Sequence, residues 1–298
     1  MRWPWLAGSY GVTSCAQRIE AAFKWACLTE LDAPKPGNVH IFADGHRMTA
    51  EEFVRSADAA AAPLAAQGAR VGLRIHGAVT ATFATVGTNT NLGIILLCAP
   101  LAAAAERDTD NLRSAVHEVL QDLDVDDADL AFRSIVRAAP AGLGHSAQHD
   151  VFNPATVGLR EAMSEAANRD MVARQYATGF ADIFELGLPL FQSVRRRTGQ
   201  CKWATLATFL GFLSAFPDSH ITRKLGLETA TCVQRAALQF AATLQATEQP
   251  DQVLPGLLAW DAALKAKAIN PGTTADLTVA TLFAHRLQTI LPSVRNSD

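Results

Sequence analysis

The stretch Thr13-Ser-Cys-Ala-Gln-Arg-Ile-Glu-Ala-Ala-Phe-Lys-Trp-Ala-Cys-Leu-Thr-Glu-Leu31 decides the fold class of this 298-residue chain. Its apolar side chains recur three and four positions apart, which places them on one face of an α-helix. The members of this stripe are Ile19, Ala22, Phe23, Ala26 and Cys27. The same spacing recurs along the chain, and no stretch shows the sustained apolar–polar alternation of a half-buried strand. The sequence therefore predicts an all-α protein.

Further helices follow from the same periodicity. Thr49 and Glu52 have the spacing of a capping box, which predicts a helix from there to about Gln67. The other predicted helices cover 70–86, 92–105, 109–121, 126–138, 156–187 with interruptions, 201–216, 228–246, 251–267 and 274–290. The longest predicted non-helical stretch is the loop 139–154, whose His145, His149 and Asp150 we interpret as structural. We expect residues 1–298 to form a single globular domain of roughly ten to thirteen helices.

Composition and charge restrict the partners of the chain. Hydrophobic residues make up 49% of it and charged residues 18%, which predicts a sizeable core. The net charge of -3 gives no electrostatic attraction to nucleic acid or to a membrane surface. The basic run 195–197 is short and is interpreted as a solvated helix end. The longest apolar run, 94–105, is too short to span a bilayer and contains Pro100, so it predicts a buried core helix.

The cysteines indicate a reducing compartment. There are five of them, widely spread and without a C-x-x-C pair, so we expect neither a disulfide framework nor a zinc site. The segment 1–8 has no long apolar region, and we expect no secretory signal. Both observations predict a cytoplasmic protein.

Four polar loops beside apolar helices are the candidate functional segments, and the first is Glu30–His40. Lys35 stands between two prolines that stiffen the turn, and Gly37 permits a positive φ or a close backbone approach. A helix end followed by a surface loop explains the prolines and the glycine. It explains the polar residues less well, so a functional role and a structural one stay equally open. These polar residues are Lys35, Asn38, His40, Asp44 and His46.

The second loop is Val86–Gly93, which contains the run Thr88-Asn-Thr-Asn91 ahead of a strongly apolar helix. Four consecutive Thr and Asn residues exceed the needs of one helix N-cap. At a helix N-terminus they favour an anion, because free N–H groups and the helix dipole point there. A simple capping cluster explains the run equally well. The chain contains neither a Walker motif nor G-x-G-x-x-G.

The third loop, 216–226, places Asp218, His220, Arg223 and Lys224 within seven positions. A carboxylate for a metal ion beside cations for phosphate is one interpretation, and a salt-bridged surface helix is the other.

The fourth loop, 269–277, combines a Pro-Gly turn with two N-cap candidates, Thr273 and Thr274. Asp276 follows in the first helical turn, where the helix dipole favours an aspartate in any helix. Alone, this loop indicates little.

In this order the four loops resemble the triphosphoribosyl-dephospho-CoA synthase family over about residues 28–285. The matching residues are Glu30, Pro34-Lys35-Pro36-Gly37, Asn89-Thr90 with Gly93, Asp218 with Arg223 and Gly226, and Pro271-Gly272 with Ala275-Asp276-Leu277. The resemblance implies an all-helical fold and a transferase that moves the triphosphoribosyl group of ATP to an acceptor hydroxyl and releases adenine.

Three positions depart from the family pattern. Asn38-Val39-His40 stands where the family has an apolar residue, Val and Asp, and His46-Arg47-Met48 lacks the Asp of His-x-Asp-Met. Asn91 and Leu92 replace the His and Lys of Asn-Thr-His-Lys-Gly. Such changes are similar to those of a divergent branch in archaea and methylotrophic bacteria. They leave open an enzyme that builds a one-carbon carrier of the methanopterin or methanofuran type, and a non-catalytic nucleotide-binding protein.

The resemblance also implies roles for single residues. Phosphate or nucleotide binding is expected of Lys35, Gly37, Asn38, Thr88, Asn89, Thr90, Gly93, Arg223, Lys224, Gly272 and Thr273. Mg²⁺ binding is expected of Asp218 and Asp276, with Asp182 and Asp44 as additions. Glu30 is the candidate base or oxocarbenium stabiliser, and His40 and His46 are the alternatives for proton transfer. The expected substrates are ATP with Mg²⁺ and an unidentified small-molecule acceptor, and the chain alone leaves a homodimer open.

Overall fold

The computed structural model describes residues 14–41, 49–107, 110–140 and 142–294, with side chains up to residue 290. Within these ranges the chain forms fourteen α-helices and no strand. The helices are α1 (Cys15–Leu31), α2 (Ala50–Leu64), α3 (Val71–Val86), α4 (Leu92–Ala104), α5 (Leu112–Gln121), α6 (Val125–Ala138), α7 (Leu159–Ala166), α8 (Met171–Thr178), α9 (Leu188–Thr198), α10 (Cys201–Ala215), α11 (Ser219–Leu225), α12 (Leu227–Ala246), α13 (Leu254–Ala266) and α14 (Gly272–Val294). A π-helical turn, Ile183–Gly187, leads into α9, and a 3-10 turn, Pro250–Val253, leads into α13. The all-α prediction is confirmed.

Several helices begin where a side chain satisfies their first free N–H groups. Ser14 with Gln17 opens α1 and Thr49 with Glu52 opens α2, both as reciprocal capping boxes. Helix α2 ends at Leu64, three residues before the predicted end. The described part of the loop 139–154 contains no helix, as predicted.

The core is built around α4 and α14, which position the candidate site at their N-termini. Helix α4 is the predicted buried helix, since eleven of its thirteen residues are buried on all sides of the helix. Each fully buried Leu or Ile contributes about 1.5–3 kcal/mol, so α4 is firmly anchored. Helix α14 packs against α1, α4 and α10. The Tyr176 hydroxyl of α8 donates a hydrogen bond to the Leu96 carbonyl of α4 at 2.6 Å.

The predicted number of helices is too low by one. The segment 156–187 contains α7, α8 and the π-helical turn, with Gly179 ending α8 at a φ of 68°. Helix α9 follows that turn without a loop, so only Pro189 in its first turn, a favoured position for proline, marks its start in the sequence. Helix α11 has only seven residues, too few for a clear periodic pattern.

The basic run 195–197 forms the last turn of α9, which confirms its interpretation as a helix end. Cations are favoured there by the helix dipole. Arg197 in addition donates hydrogen bonds to the carbonyls of Leu244, Gln245 and Thr247 at the end of α12.

Over the described residues, no helix has the length and hydropathy needed to cross a bilayer. All five cysteines are free thiols.

Candidate active site

The start of α14 is the point where the four polar loops meet. From the first loop, the Asn38 side-chain amide donates a hydrogen bond to Asn270 Oδ1 at 2.9 Å. From the second, Gly93 lies against the Asp276 carboxylate. From the third, Asp218 accepts hydrogen bonds from Thr274. Segments far apart in sequence thus form one cluster around residues 270–276.

The first loop is held from within by a buried ion pair. The Lys35 ammonium lies 3.2 Å from Glu30 Oε1 and donates to the Glu30 and Val39 carbonyls at 2.8 and 2.9 Å. Burial raises the pKa of Glu30 to about 7, although Lys35 opposes the shift. Burial also lowers the pKa of Lys35, although Glu30 opposes it. Both side chains are at most 2% exposed, so in the described conformation Lys35 stabilises its own loop.

Asp261 of α13 fixes the same loop from outside. Its Oδ1 accepts a hydrogen bond from the Gly37 N–H at 2.8 Å, and its Oδ2 lies 3.3 Å from His40 Nε2 and 3.0 Å from the Lys265 ammonium. Burial alone would raise the pKa of Asp261, but bonds from His40, Lys265 and Gly37 outweigh it and lower the pKa. For His40 the effect of burial is the opposite: it lowers the pKa, which favours the neutral imidazole. Sequence reasoning missed Asp261 and Lys265, which read as an ordinary i, i+4 pair on a helix.

Gly37 adopts the positive φ that the sequence allowed, at 79°. A Cβ at this position would lie 2.9 Å from the Ile269 carbonyl oxygen and 2.9 Å from Pro271 Cδ. Only glycine therefore permits the first loop to pack against the turn that precedes α14.

Asp218 caps two helices at once. As the N-cap of α11, its Oδ1 accepts from the Ile221 N–H at 3.0 Å. Its Oδ2 accepts from the Thr274 N–H at 2.8 Å and the Thr274 hydroxyl at 2.7 Å. Burial raises the pKa of Asp218, and these hydrogen bonds oppose the rise. The carboxylate therefore joins the starts of α11 and α14, and its oxygens are largely occupied by protein donors.

The start of α8 completes this side of the cluster. Ser219 donates a hydrogen bond to Thr273 Oγ1 at 3.1 Å and accepts one from the Met171 N–H at 3.2 Å. Asp170, the N-cap of α8, lies 3.1 Å from the Arg223 guanidinium. Ser219 and Asp170 were missed, because a lone Ser or Asp at a helix start is indistinguishable in sequence from an ordinary cap.

The third loop carries three further predicted residues. Arg223 is half-buried. It packs against the loop 139–154, since a Cβ on Gly142 would lie 2.7 Å from Arg223 Cγ. Lys224, next to it, is exposed. His220 faces Gly272, where an added Cβ would lie 3.2 Å from His220 Nδ1.

The second loop uses its side chains partly for capping. Asn89 Oδ1 accepts from the Leu92 N–H at 3.2 Å, and the Thr90 hydroxyl donates to Ser56 Oγ at 2.6 Å. Asn91 is buried and donates to the Ser56 carbonyl at 3.4 Å. Thr88 is exposed at the tip. The loop is therefore tied to α2, with Gly93 facing the start of α14.

Asp276 differs from every other carboxylate of the cluster. It lies so close to Gly93 that a Cβ there would be 2.1 Å from its Oδ2. Within the described part of the chain, its half-buried carboxylate receives no hydrogen bond and forms no ion pair. Burial, followed by the charges of Asp218, Glu30 and Asp170, raises its pKa well above the usual range, while Arg223 opposes the shift. A half-buried carboxylate without a protein partner is available to a ligand.

Asp182 and Asp44 are the two further carboxylates predicted for a metal ion. Asp182 accepts hydrogen bonds from Arg174 Nε at 2.9 Å and Gln175 Nε2 at 2.7 Å, and stays a predicted ligand. Asp44 and His46 lie outside the described residues. Among the residues that the structure describes, no three His, Cys, Asp or Glu side chains are grouped as a metal-binding set.

A polar cavity of about 350 Å³ lies elsewhere, among α3, α5 and α6. Its charged side chains are paired with one another, with Arg74 on Glu106 at 2.8 Å and Arg70 on Asp127 at 3.2 Å. Because these charges are already neutralised, the start of α14 remains the stronger candidate for chemistry.

Comparisons with known proteins identify the family and the fold. The CitG family model, described as ATP:dephospho-CoA triphosphoribosyl transferase, matches residues 16–294. A crystal structure from Archaeoglobus fulgidus, of a protein described as a triphosphoribosyl-dephospho-CoA synthase, superposes with a TM-score of 0.59. It is 22% identical over 77% of this chain and 95% of that one, a likeness that shows a shared fold. No curated protein matches the chain.

Proposed function

The chain belongs to the CitG family of ATP:dephospho-CoA triphosphoribosyl transferases, and we propose that it performs the family reaction at the start of α14. In this reaction the bond between C1′ of the ATP ribose and adenine breaks, and its electron pair leaves with adenine. An acceptor hydroxyl forms the new bond to C1′ and gives up its proton, and the departing adenine takes up one proton. The site must therefore bind a triphosphate, stabilise positive charge at C1′ and guide a proton.

The observation that carries the proposal is the Asp276 carboxylate. It is held against Gly93 without a hydrogen bond from the described residues, whereas Asp218 beside it is occupied by Ile221 and Thr274. Keeping a half-buried carboxylate without a partner costs stability. A ligand that offers positive charge, either a cation or an oxocarbenium-like sugar, would relieve this cost.

The triphosphate would lie along the helix starts that surround Asp276. The N-termini of α4 and α14 carry the positive ends of their dipoles, and Arg223 adds a full charge. Lys224 lies at the exposed edge. The candidate lining contributes small residues and hydroxyl or amide donors, which are Thr88, Asn89, Thr90, Gly93, Gly272 and Thr273. Gly37 and Asn38 hold the turn before α14, and Lys35 stabilises their loop.

Asp276 also fits Mg²⁺, because Mg²⁺ in nucleotide sites takes one or two carboxylates together with phosphate oxygens and water. When bound, the ion would neutralise phosphate charge. Asp218 fits a different role in this proposal, since its hydrogen bonds orient the first turn of α14 and thereby Asp276.

Glu30 is the second carboxylate of the proposed site. Its charge contributes to the raised pKa of Asp276, and its own pKa of about 7 suits proton acceptance near neutral pH. Its side chain is buried together with that of Lys35, so direct proton transfer to Glu30 requires the first loop to open. His40 is bound to Asp261 in the same loop and is the alternative.

The proposal is tested by incubating the purified protein with ATP, Mg²⁺ and dephospho-CoA and measuring free adenine by chromatography. We expect adenine release that requires both substrates and is lost in Asp276→Asn. Adenine release that persists undiminished in Asp276→Asn would remove Asp276 from the site.

A different acceptor is favoured by one observation. Asn91 and Leu92, which stand where the family has His and Lys, are both buried against the protein. The second loop thus offers no cation at these positions. ATP binding without adenine release from dephospho-CoA, followed by turnover with a pterin or furan precursor, would establish the one-carbon carrier reaction instead.

A further inference from the structure

An apolar groove of about 540 Å³ runs between α12 and α13. Its size is within the usual range of small-molecule sites. Trp260 forms a flat part of the wall, because its ring is stacked on Phe240 with centroids 4.9 Å apart. The lining residues are Leu225, Glu228, Thr229, Cys232, Val233, Ala236, Trp260, Ala263, Leu264, Lys267 and Ile269. No sequence motif pointed to this groove.

The inner end of the groove adjoins the candidate active site. Leu264 and Ile269 line the groove and also contact the first loop, since a Cβ on Gly37 would lie 3.1 Å from Leu264 Cδ1 and 2.9 Å from the Ile269 carbonyl oxygen. Leu225 lines it from the other side, two residues after Arg223. The groove and the candidate active site are therefore neighbours that share these residues as a common wall.

The charges of the groove favour the acceptor over the triphosphate of ATP as its ligand. Glu228 and Lys267 are its charged residues, one of each sign, so the lining has no net positive charge for a triphosphate. The other lining residues are apolar apart from the Thr229 hydroxyl and the Cys232 thiol. Apolar walls with scattered polar groups suit a chain of methylene and amide groups.

We infer that this groove binds the pantetheine arm of a dephospho-CoA acceptor, an inference that rests on the proposed function. The arm lies along Trp260 and Cys232, and the nucleoside end of the acceptor extends past Leu225 and Ile269 toward Asp276. The acceptor hydroxyl thus approaches the ribose of ATP from the α12–α13 side.

The test compares two bulky substitutions on α12. Cys232 is exposed on the groove side, so Cys232→Trp fills the groove without disturbing the core. Leu238 is 53% exposed and lies outside the lining, so Leu238→Trp is the matched control. We expect calorimetry to show dephospho-CoA affinity at least about tenfold weaker in Cys232→Trp and unchanged in Leu238→Trp, with ATP affinity unchanged in both.

The possible failures are distinguishable. Wild-type affinity for dephospho-CoA in Cys232→Trp, with adenine release intact, would overturn the groove and leave the proposed function standing. A wild-type protein that neither binds dephospho-CoA nor releases adenine with it would overturn both. A wild-type dimer that becomes a monomer in Cys232→Trp, seen by size-exclusion chromatography, would assign the groove to self-association and overturn the inference.

Discussion

The first loop, Glu30–His40, and the first turn of α14 lie side by side. They differ in whether their polar groups have protein partners. In the loop, Lys35, Gly37 and His40 are all bound to protein partners. In the first turn of α14, the Asp276 carboxylate receives no hydrogen bond from the described residues. Buried polar groups are normally satisfied, so the loop is explained by architecture, while the half-buried Asp276 carboxylate is left for the ligand that we propose. This contrast separates the residues that build the proposed site from the one that we propose works in it.

The largest expected effect is the loss of activity in Asp276→Asn. A preorganised group that stabilises charge in the transition state contributes about 100-fold or more. We therefore expect adenine release to fall by at least about 100-fold, because the amide carries no charge. Stability should be unchanged or slightly higher, since the carboxylate has no partner to lose and its ionisation is disfavoured by burial. A variant that retains activity, or that unfolds more easily than wild type in urea, would remove the contrast.

Asp218→Ala should show the opposite pattern, a large loss of stability. It leaves Ile221 N–H and both donors of Thr274 without an acceptor, for an expected cost of about 3 kcal/mol in the free energy of unfolding. The control is Asp124→Ala, which removes the exposed N-cap of α6 and should cost about 1 kcal/mol. Urea unfolding of both variants measures the difference, and equal losses would contradict the bridging role of Asp218.

The raised pKa of Glu30 predicts how the free energy of unfolding depends on pH. Its pKa is raised from an ordinary 4.5 to about 7 by burial, so the folded state binds its proton more tightly than the unfolded state. The contribution of this group to stability is complete below about pH 4.5 and is lost as the pH rises through 7, with a slope of up to about 1.4 kcal/mol per pH unit. The raised pKa values of Asp218 and Asp276 act in the same direction.

Glu30→Gln should therefore flatten the decline of stability between about pH 4.5 and 7. Urea unfolding at a series of pH values measures this, with Glu51→Gln on the exposed side of α2 as the control. An unaltered slope in Glu30→Gln would show that Glu30 ionises normally.

Gly93→Ala is the smallest of these changes. Its Cβ would lie 2.1 Å from Asp276 Oδ2 and 2.6 Å from Asp276 Cγ, so the Asp276 side chain is expected to move. We expect adenine release to fall by about tenfold with little loss of stability. Gly256→Ala is the control, because its Cβ meets only Phe240 at an ordinary 3.4 Å. Full activity in Gly93→Ala would mean that the position of Asp276 is unimportant.

Local rules predicted most of the fold and named the four polar loops, which the structure brings together at the start of α14. The capping box at Thr49 and the apolar run of α4 depend on neighbours in sequence, and the structure has them where the pattern indicates. The same rules name Asp218 and Asp276 alike, because both are aspartates at helix starts. Their different roles depend on Thr274 and Gly93, which only the packing of α11 and α4 against α14 brings close.

Tertiary contacts also account for what sequence reasoning could not supply. The inward direction of Lys35 depends on carbonyl groups that its own loop presents after folding. The hydrogen bond from the Gly37 N–H to Asp261 joins residues 224 positions apart. Neither arrangement has a signature in residue type or spacing.

Hydrogen–deuterium exchange with and without ATP and Mg²⁺ tests most directly whether the start of α14 is the nucleotide site. We predict that ATP slows exchange in peptides that cover 88–96, 219–224 and 272–278, and that Asp276→Asn reduces this protection. Protection confined to 68–74, 103–107 and 122–127, around the polar cavity of α3, α5 and α6, would contradict the account.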